Sequence, residues 1–409
     1  MTNLLWPGDQ RAGELMTDED VLRSMVAVES AWLNALADIG IAPSDCAGAD
    51  LRHLLKPQDL RELAVTSEDG GNPVIGLVAL LRNCAGPVVG RWIHRGLTSQ
   101  DVVDSGLMLA TRAAVDHLLT HLEQQLSALC GLVTSHRHTP MVARTLTQHA
   151  VPTTFGAKAA SWLNGIVDAY QQLATLATPV QVGGAGGTLA AATELAALLR
   201  SMEDSAEVSA RLAQTTATTL GLDSATPWHT TRTPVTAAAD ALVRCTDAWG
   251  RIASDVVILA RPEIAELSEP ATANRGGSST MPHKRNPVLS ILIRRAAITA
   301  PPLASTLHTA AALANDERPD GSWHAEWDTL RTLVRRTVVA GSQCTELLGG
   351  LEVHCGQMAS NLDAADVLGE QRAIAELAGK PPSATYFGAI DGLVDECLGR
   401  ARRIVKEQL

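Results

Sequence analysis

Between Gly276 and Pro287 the chain reads Gly-Gly-Ser-Ser-Thr-Met-Pro-His-Lys-Arg-Asn-Pro. Ser278 and Ser279 supply hydroxyls, and Lys284, Arg285 and Asn286 add two cations and an amide donor close behind. Gly276 and Gly277 allow the backbone to bend, while Pro282 and Pro287 prevent one continuous helix. Such a segment suits a loop that closes over an anion and carries a proton-transfer group with it. Composition alone would equally describe a Gly/Ser linker followed by a solvated basic turn. The chemistry it suits is removal of a proton beside a carboxylate. Loss of that proton puts a second negative charge on an anion, so fixed positive charge and donors must meet the dianion. Lys284 and Asn286 can do so. A serine hydroxyl is a useful base only where closure excludes water and the local field favours the alkoxide.

Two further segments carry suitable groups. In His94-Arg95-Gly96-Leu97-Thr98-Ser99-Gln100-Asp101, Thr98 and Asp101 fit a helix-opening capping pattern. Orphan N–H groups, hydroxyls and the positive end of a helix dipole make that start an anion site as well as an ordinary cap. In Gln148-His149-Ala150-Val151-Pro152, the proline suits the first turn of a following helix, and a lone histidine before a helix is usually structural. Other patterns fail. His117 and His121 lack the glutamate of a zinc-protease helix and fit a solvated face, and His136-Arg137-His138 has no third ligand nearby. No metal is expected. Gly184-Ala185-Gly186 lacks the third glycine of a dinucleotide fingerprint, so no cofactor is implied. Arg294-Arg295, Arg335-Arg336 and Arg402-Arg403 read as surface pairs.

The elements that must position these groups are helical. Met25, Val28, Trp32, Leu36 and Ile39 form one apolar stripe, and Leu118, Leu122, Leu126, Leu129 and Val133 another. Phe155 to Leu173, Leu242 to Leu259 and Leu330 to Leu348 repeat the pattern, and no alternating strand pattern competes. The expectation is an all-α protein with a helical domain over 1–95, a central long-helix bundle over 96–330 containing the loop 269–287, and a helical domain over 331–409. Of the 409 residues 46% are hydrophobic but only 3% aromatic, so the core must be built of Ala, Leu and Val. A net charge of −11 without a basic stripe disfavours nucleic acid and anionic membrane. No apolar run approaches a membrane span, and the N-terminal residues do not resemble a signal peptide. Seven cysteines without a C-x-x-C pair read as free thiols, and the cytoplasm is the expected location.

The Gly277–Pro287 segment closely resembles the signature loop of the fumarase/aspartase superfamily. The 94–101 and 148–156 segments are similar to that family's first and second regions, in the same order. Asn315-Asp316-Glu317-Arg318-Pro319, Trp323-His324-Ala325-Glu326-Trp327 and Gln181 to Leu189 resemble its bacterial 3-carboxy-cis,cis-muconate cycloisomerase branch. The resemblance implies Ser278 as the base, Lys284 and Asn286 on the carboxylate, and His149 in the site. It further implies substrate contacts from His94, Arg95, Thr98, Ser99, Gln148, Ser279, Met281 and Arg318. It implies a small polycarboxylate substrate, 3-carboxy-cis,cis-muconate cycloisomerised to 4-carboxymuconolactone, and a homotetramer whose active sites draw on three chains. An adenylosuccinate or other substituted-succinate lyase and a non-catalytic structural homologue are the alternatives. One departure matters: Thr145-Leu146 stands where the elimination enzymes usually carry Thr-His, and leucine cannot transfer a proton.

Overall fold

The computed structural model describes residues 3–272, 275–277, 280–281 and 284–406. Helices dominate. In chain order they begin with α1 (Asp18–Asp38), α2 (Asp59–Gly70), α3 (Val74–Cys84), α4 (Gly86–Trp92) and the long α5 (Ser99–Ser135). A hairpin of β1 (Pro140–Thr145) and β2 (Gln148–Thr154) leads into α6 (Phe155–Ala174). Then come α7 (Ala190–Leu199), α8 (Ser205–Leu220), α9 (Thr233–Leu259), β3 (Leu267–Ser268), α10 (Val288–Ala312) and α11 (Gly321–Gly349). After β4 (Glu352–Val353), α12 (Cys355–Asp363), α13 (Gly369–Ala378) and α14 (Ile390–Lys406) end the described chain.

Contacts divide the chain into two compact units. One comprises Met1–Asp116, Leu176–Asp240 and Pro302–Arg335, the other His117–Thr175, Ala241–Pro301 and Arg336–Leu409. In the first, the predicted α1 stripe from Met25 to Ile39 is buried. Asp104 and Glu326 converge on Arg232, all three buried, with Nη1 2.8 Å from Asp104 Oδ2 and Nη2 2.6 Å from Glu326 Oε2. Burial works against the charge on Arg232, but Asp104 and Glu326 outweigh it and raise the guanidinium pKa, whereas burial pushes the Glu326 carboxyl up. Arg335 is a correction to the expected surface pair. It is buried, and its Nε and Nη2 donate to Asp9 at 2.8 and 2.9 Å, because the Asp9 carboxylate pairs its charge.

In the second unit the stripes Leu118–Val133 and Leu242–Leu259 face inward with no or little exposure. Gln125 satisfies the polar atoms between them. It accepts from Trp249 Nε1 at 2.7 Å and donates to the Gly341 carbonyl at 3.0 Å. Trp162 Nε1 likewise donates to Asp255 at 2.8 Å. These apolar stripes, rather than helix propensity, hold the long helices in place.

Two expectations need correcting. Pro152 lies in β2, paired with Val142, and the cap of α6 is Thr154, whose hydroxyl accepts from Ala157 N at 3.1 Å. The strands themselves were not expected. Their turn places Leu146 and Thr147 at φ of 48° and 72°, a region where Gly or Asn usually announces a hairpin. The described α10 is also long and apolar enough to cross a membrane by length and composition. Only a third of its most apolar window is buried within the chain.

Candidate active site

The start of α5 gathers the first group of side chains. His94 takes a left-handed φ of 64°, which turns its ring toward α1. There its Nδ1 lies 2.6 Å from Oε1 of the fully buried Glu29. A carboxylate in that position fixes the ring and its tautomer, leaving Nε2 as the outward atom. The adjoining Arg95 is exposed, and its carbonyl accepts from Trp32 Nε1 at 2.7 Å. The Thr98 backbone N–H donates to Asp101 Oδ2 at 2.9 Å, one arm of the predicted capping pattern. Its hydroxyl accepts from Nη2 of the exposed Arg318. Ser99 opens the helix, half-buried. Thus His94, Arg95, Thr98, Ser99 and Arg318 share one unit, and a guanidinium, a hydroxyl and a helix N-terminus meet there. An anion is the natural ligand of that set.

The second unit holds the hairpin and the loop. Gln148 and His149 are exposed on β2 beside the turn, opposite Thr145 and Arg144. Arg144 grips the buried Glu266 with two bonds of 2.7 and 3.0 Å, and Asn361 donates to the same carboxylate at 2.8 Å. Three residues on, Glu269 accepts from the backbone N–H groups of Leu289 and Ser290 at 3.0 and 2.6 Å. Those are the first-turn donors of α10, so one carboxylate closes the base of the loop and complements the helix dipole. The hairpin and the two ends of the loop therefore rest on a single framework around Glu266 and Glu269.

Higher in the loop, Arg275 pairs with Glu346 at 2.5 Å. Asn286 donates to the Gly276 carbonyl from its backbone N–H at 2.8 Å and from Nδ2 at 3.1 Å. Gly276 needs its lack of a side chain here, since φ is 74° and a Cβ would lie 2.5 Å from the Asn286 carbonyl oxygen. Gly277 bridges to Arg285, and the Lys284 N–H turns back to the Met281 carbonyl at 3.0 Å. Lys284 and Met281 are exposed. Ser278 and Ser279 lie outside the described residues.

Sequence reasoning missed Glu29, Glu266, Glu269 and the partners of Asp101. Glu29 did leave a signal, as a charged residue within the buried side of α1. The others are joined to their partners only by the fold. Among the described residues no group of three or more metal-ligating side chains is gathered.

An all-α chain with hydroxyl and guanidinium donors at a helix start and a glycine-hinged loop bearing lysine and asparagine has the features of a lyase. The chain belongs to the fumarase/aspartase superfamily: the family described as Lyase matches residues 55–301. It is 44% identical over 356 residues to the nitrosuccinate lyase of Streptomyces davaonensis, covering 85% of this chain and 74% of that one. It is 40% identical over 354 residues to the 3-carboxy-cis,cis-muconate cycloisomerase of Bradyrhizobium diazoefficiens, covering 85% and 76%. The crystal structure of the 3-carboxy-cis,cis-muconate lactonizing enzyme from Pseudomonas putida superposes with a TM-score of 0.78 at 31% identity, over 97% of this chain and 86% of that one.

Proposed function

We propose that the enzyme removes a proton alpha to a carboxylate and expels a weakly basic anion from the neighbouring carbon, or catalyses the reverse addition. The observation that carries this reading is Leu146, 96% exposed on the hairpin turn where the superfamily's elimination enzymes usually carry a histidine that protonates or orients the leaving group. An amine must be protonated to leave. A carboxylate need not be, its conjugate acid having a pKa of about 4. Nitrite is a comparably weak base. The relatives act on substrates of this kind by name, and two readings follow.

In the first, favoured by the identity to the nitrosuccinate lyase, Ser278 takes a proton from the methylene carbon of nitrosuccinate. The electron pair is held as an aci-carboxylate by Lys284, Asn286 and the Thr98–Ser99 helix start. It then forms the carbon–carbon double bond as the C–N bond breaks, and nitrite and fumarate result. In the second, favoured by the structural likeness to the lactonizing enzyme, a carboxylate of 3-carboxy-cis,cis-muconate adds to the diene to give 4-carboxymuconolactone. Ser278 then delivers the proton to carbon. His94, Arg95, Gln148, His149, Ser279, Met281 and Arg318 complete the proposed substrate contacts. Purified enzyme should release nitrite from nitrosuccinate or remove the diene absorbance of carboxymuconate, while leaving adenylosuccinate and argininosuccinate intact. Efficient cleavage of adenylosuccinate would sink the reading.

The proposed assembly is a cytoplasmic homotetramer. The apolar face of α10 supports it, because Ile291 and Ile298 are 48% and 69% exposed and need a protein surface to cover them. Within that assembly the segments 1–95, 96–330 and 331–409 are the proposed domains. Inactive Ser278→Ala and His149→Ala chains, unfolded and refolded together, should regain part of the activity, since some hybrid sites receive both intact residues. An active monomer in light scattering would refute the shared site.

A further inference from the structure

We propose that His229 and Asp101 are positioning residues that hold the Gly183–Gly187 turn against the start of α5 and so set the geometry of its carboxylate site. The inference rests on the reading of Thr98–Ser99 as that site. Asp101 has no solvent exposure, and its carboxylate accepts four hydrogen bonds. Oδ1 takes the Gly183 N–H and His229 Nε2, both at 2.9 Å. Oδ2 takes the Thr98 N–H at 2.9 Å and the Gly184 N–H at 3.0 Å. Its acceptor sites are thereby filled by three segments distant in sequence.

His229 is 4% exposed, and its Nδ1 is buried without a partner among the described residues. Nε2 donates to the Asp101 carboxylate. The turn is fitted over the ring. A Cβ on Gly183 would lie 2.8 Å from His229 Cε1, and one on Gly187 3.5 Å from Nδ1. On its other side a Cβ on Gly184 would lie 3.2 Å from the Gly96 carbonyl, so the turn is seated on the 94–98 segment. Helix packing does not require this link. One helical turn further, Asp104 and Arg232 already tie α5 to the segment before α9. Gln100 Nε2 also holds the His229 carbonyl at 2.9 Å. What His229 adds is a further donor that fixes the Asp101 carboxylate, through which the turn and the Thr98 amide are joined, and a ring against which the turn packs.

The test compares His229→Phe, which keeps a ring but loses the donor, with His229→Gln, which keeps a donor where Nε2 was. Fumarate is the calorimetric probe, and amide exchange at Thr98, Gly183 and Gly184 is read in parallel. His229→Phe should weaken fumarate binding at least about tenfold and raise KM more than it lowers kcat, with faster exchange at all three amides. His229→Gln should restore both to within a few-fold. Unchanged exchange in His229→Phe, or His229→Gln behaving like His229→Phe, would overturn the positioning role. If His229→Phe does not fold, Gly183→Ala displaces the same ring from the turn side and should give the same KM rise; wild-type KM in it would overturn the proposal. Wild-type enzyme that fails to bind fumarate, while His229→Phe still speeds exchange at the three amides, would instead refute the carboxylate reading of the helix start.

Discussion

Replacing Ser278 by alanine is expected to lower kcat by about 10³-fold or more, with folding unchanged, because only proton transfer at carbon is removed. By its place in the loop Ser278 is the group proposed to take that proton. Lys284 and Asn286 are donors whose proposed task is to meet the charge that develops, so neither replaces a base. The loop's stem is built by other residues: Glu269 on the first turn of α10, Arg275 on Glu346, and Asn286 on the Gly276 carbonyl. The alanine variant should therefore melt with the wild type and still bind fumarate. The comparison is single-turnover kinetics alongside thermal unfolding. Near-normal turnover would move the base to His149 or Ser279.

Arg232→Met is expected to cost about 3–5 kcal/mol of stability. The guanidinium is buried between Asp104 and Glu326, and its loss strands two carboxylates where water cannot solvate them. Arg232→Lys should recover only part, since an ammonium cannot make the paired contacts. The triple variant Arg232→Met, Asp104→Asn, Glu326→Gln should regain much of the loss, because no charge is then left unpaired. The pH dependence has a definite sign. Without Arg232 the burial that already pushes the Glu326 carboxyl up is unopposed, so its folded pKa lies above its unfolded one, and the deficit is fully present at neutral pH and shrinks as acid protonates it. Urea unfolding at pH 7 and near pH 5 measures both effects. A loss below about 1 kcal/mol at pH 7 would show that the trio is dispensable.

The sequence alone determined the helical architecture and the family, and it singled out the loop and the helix start as the candidate site. The physical reason is that these signals are local. A 3.6-residue apolar period selects one face of a helix, so the stripes from Met25 to Ile39 and from Leu118 to Val133 turned inward as read. Hydroxyl, glycine and cation at fixed spacing likewise announce a loop without knowledge of its neighbours. Tertiary structure decided everything that depends on which distant residues meet. Nothing near Glu29 in sequence points to His94, and nothing near Asp101 points to Gly183 or His229. The hairpin at 140–154 escaped notice because Leu146 and Thr147 reach positive φ without the residues that normally signal it, and packing supplies what local propensity does not. Arg335 looked like a surface cation because its partner Asp9 lies at the other end of the sequence. A buried ion pair is a property of two positions in space, and only the fold brings them into contact.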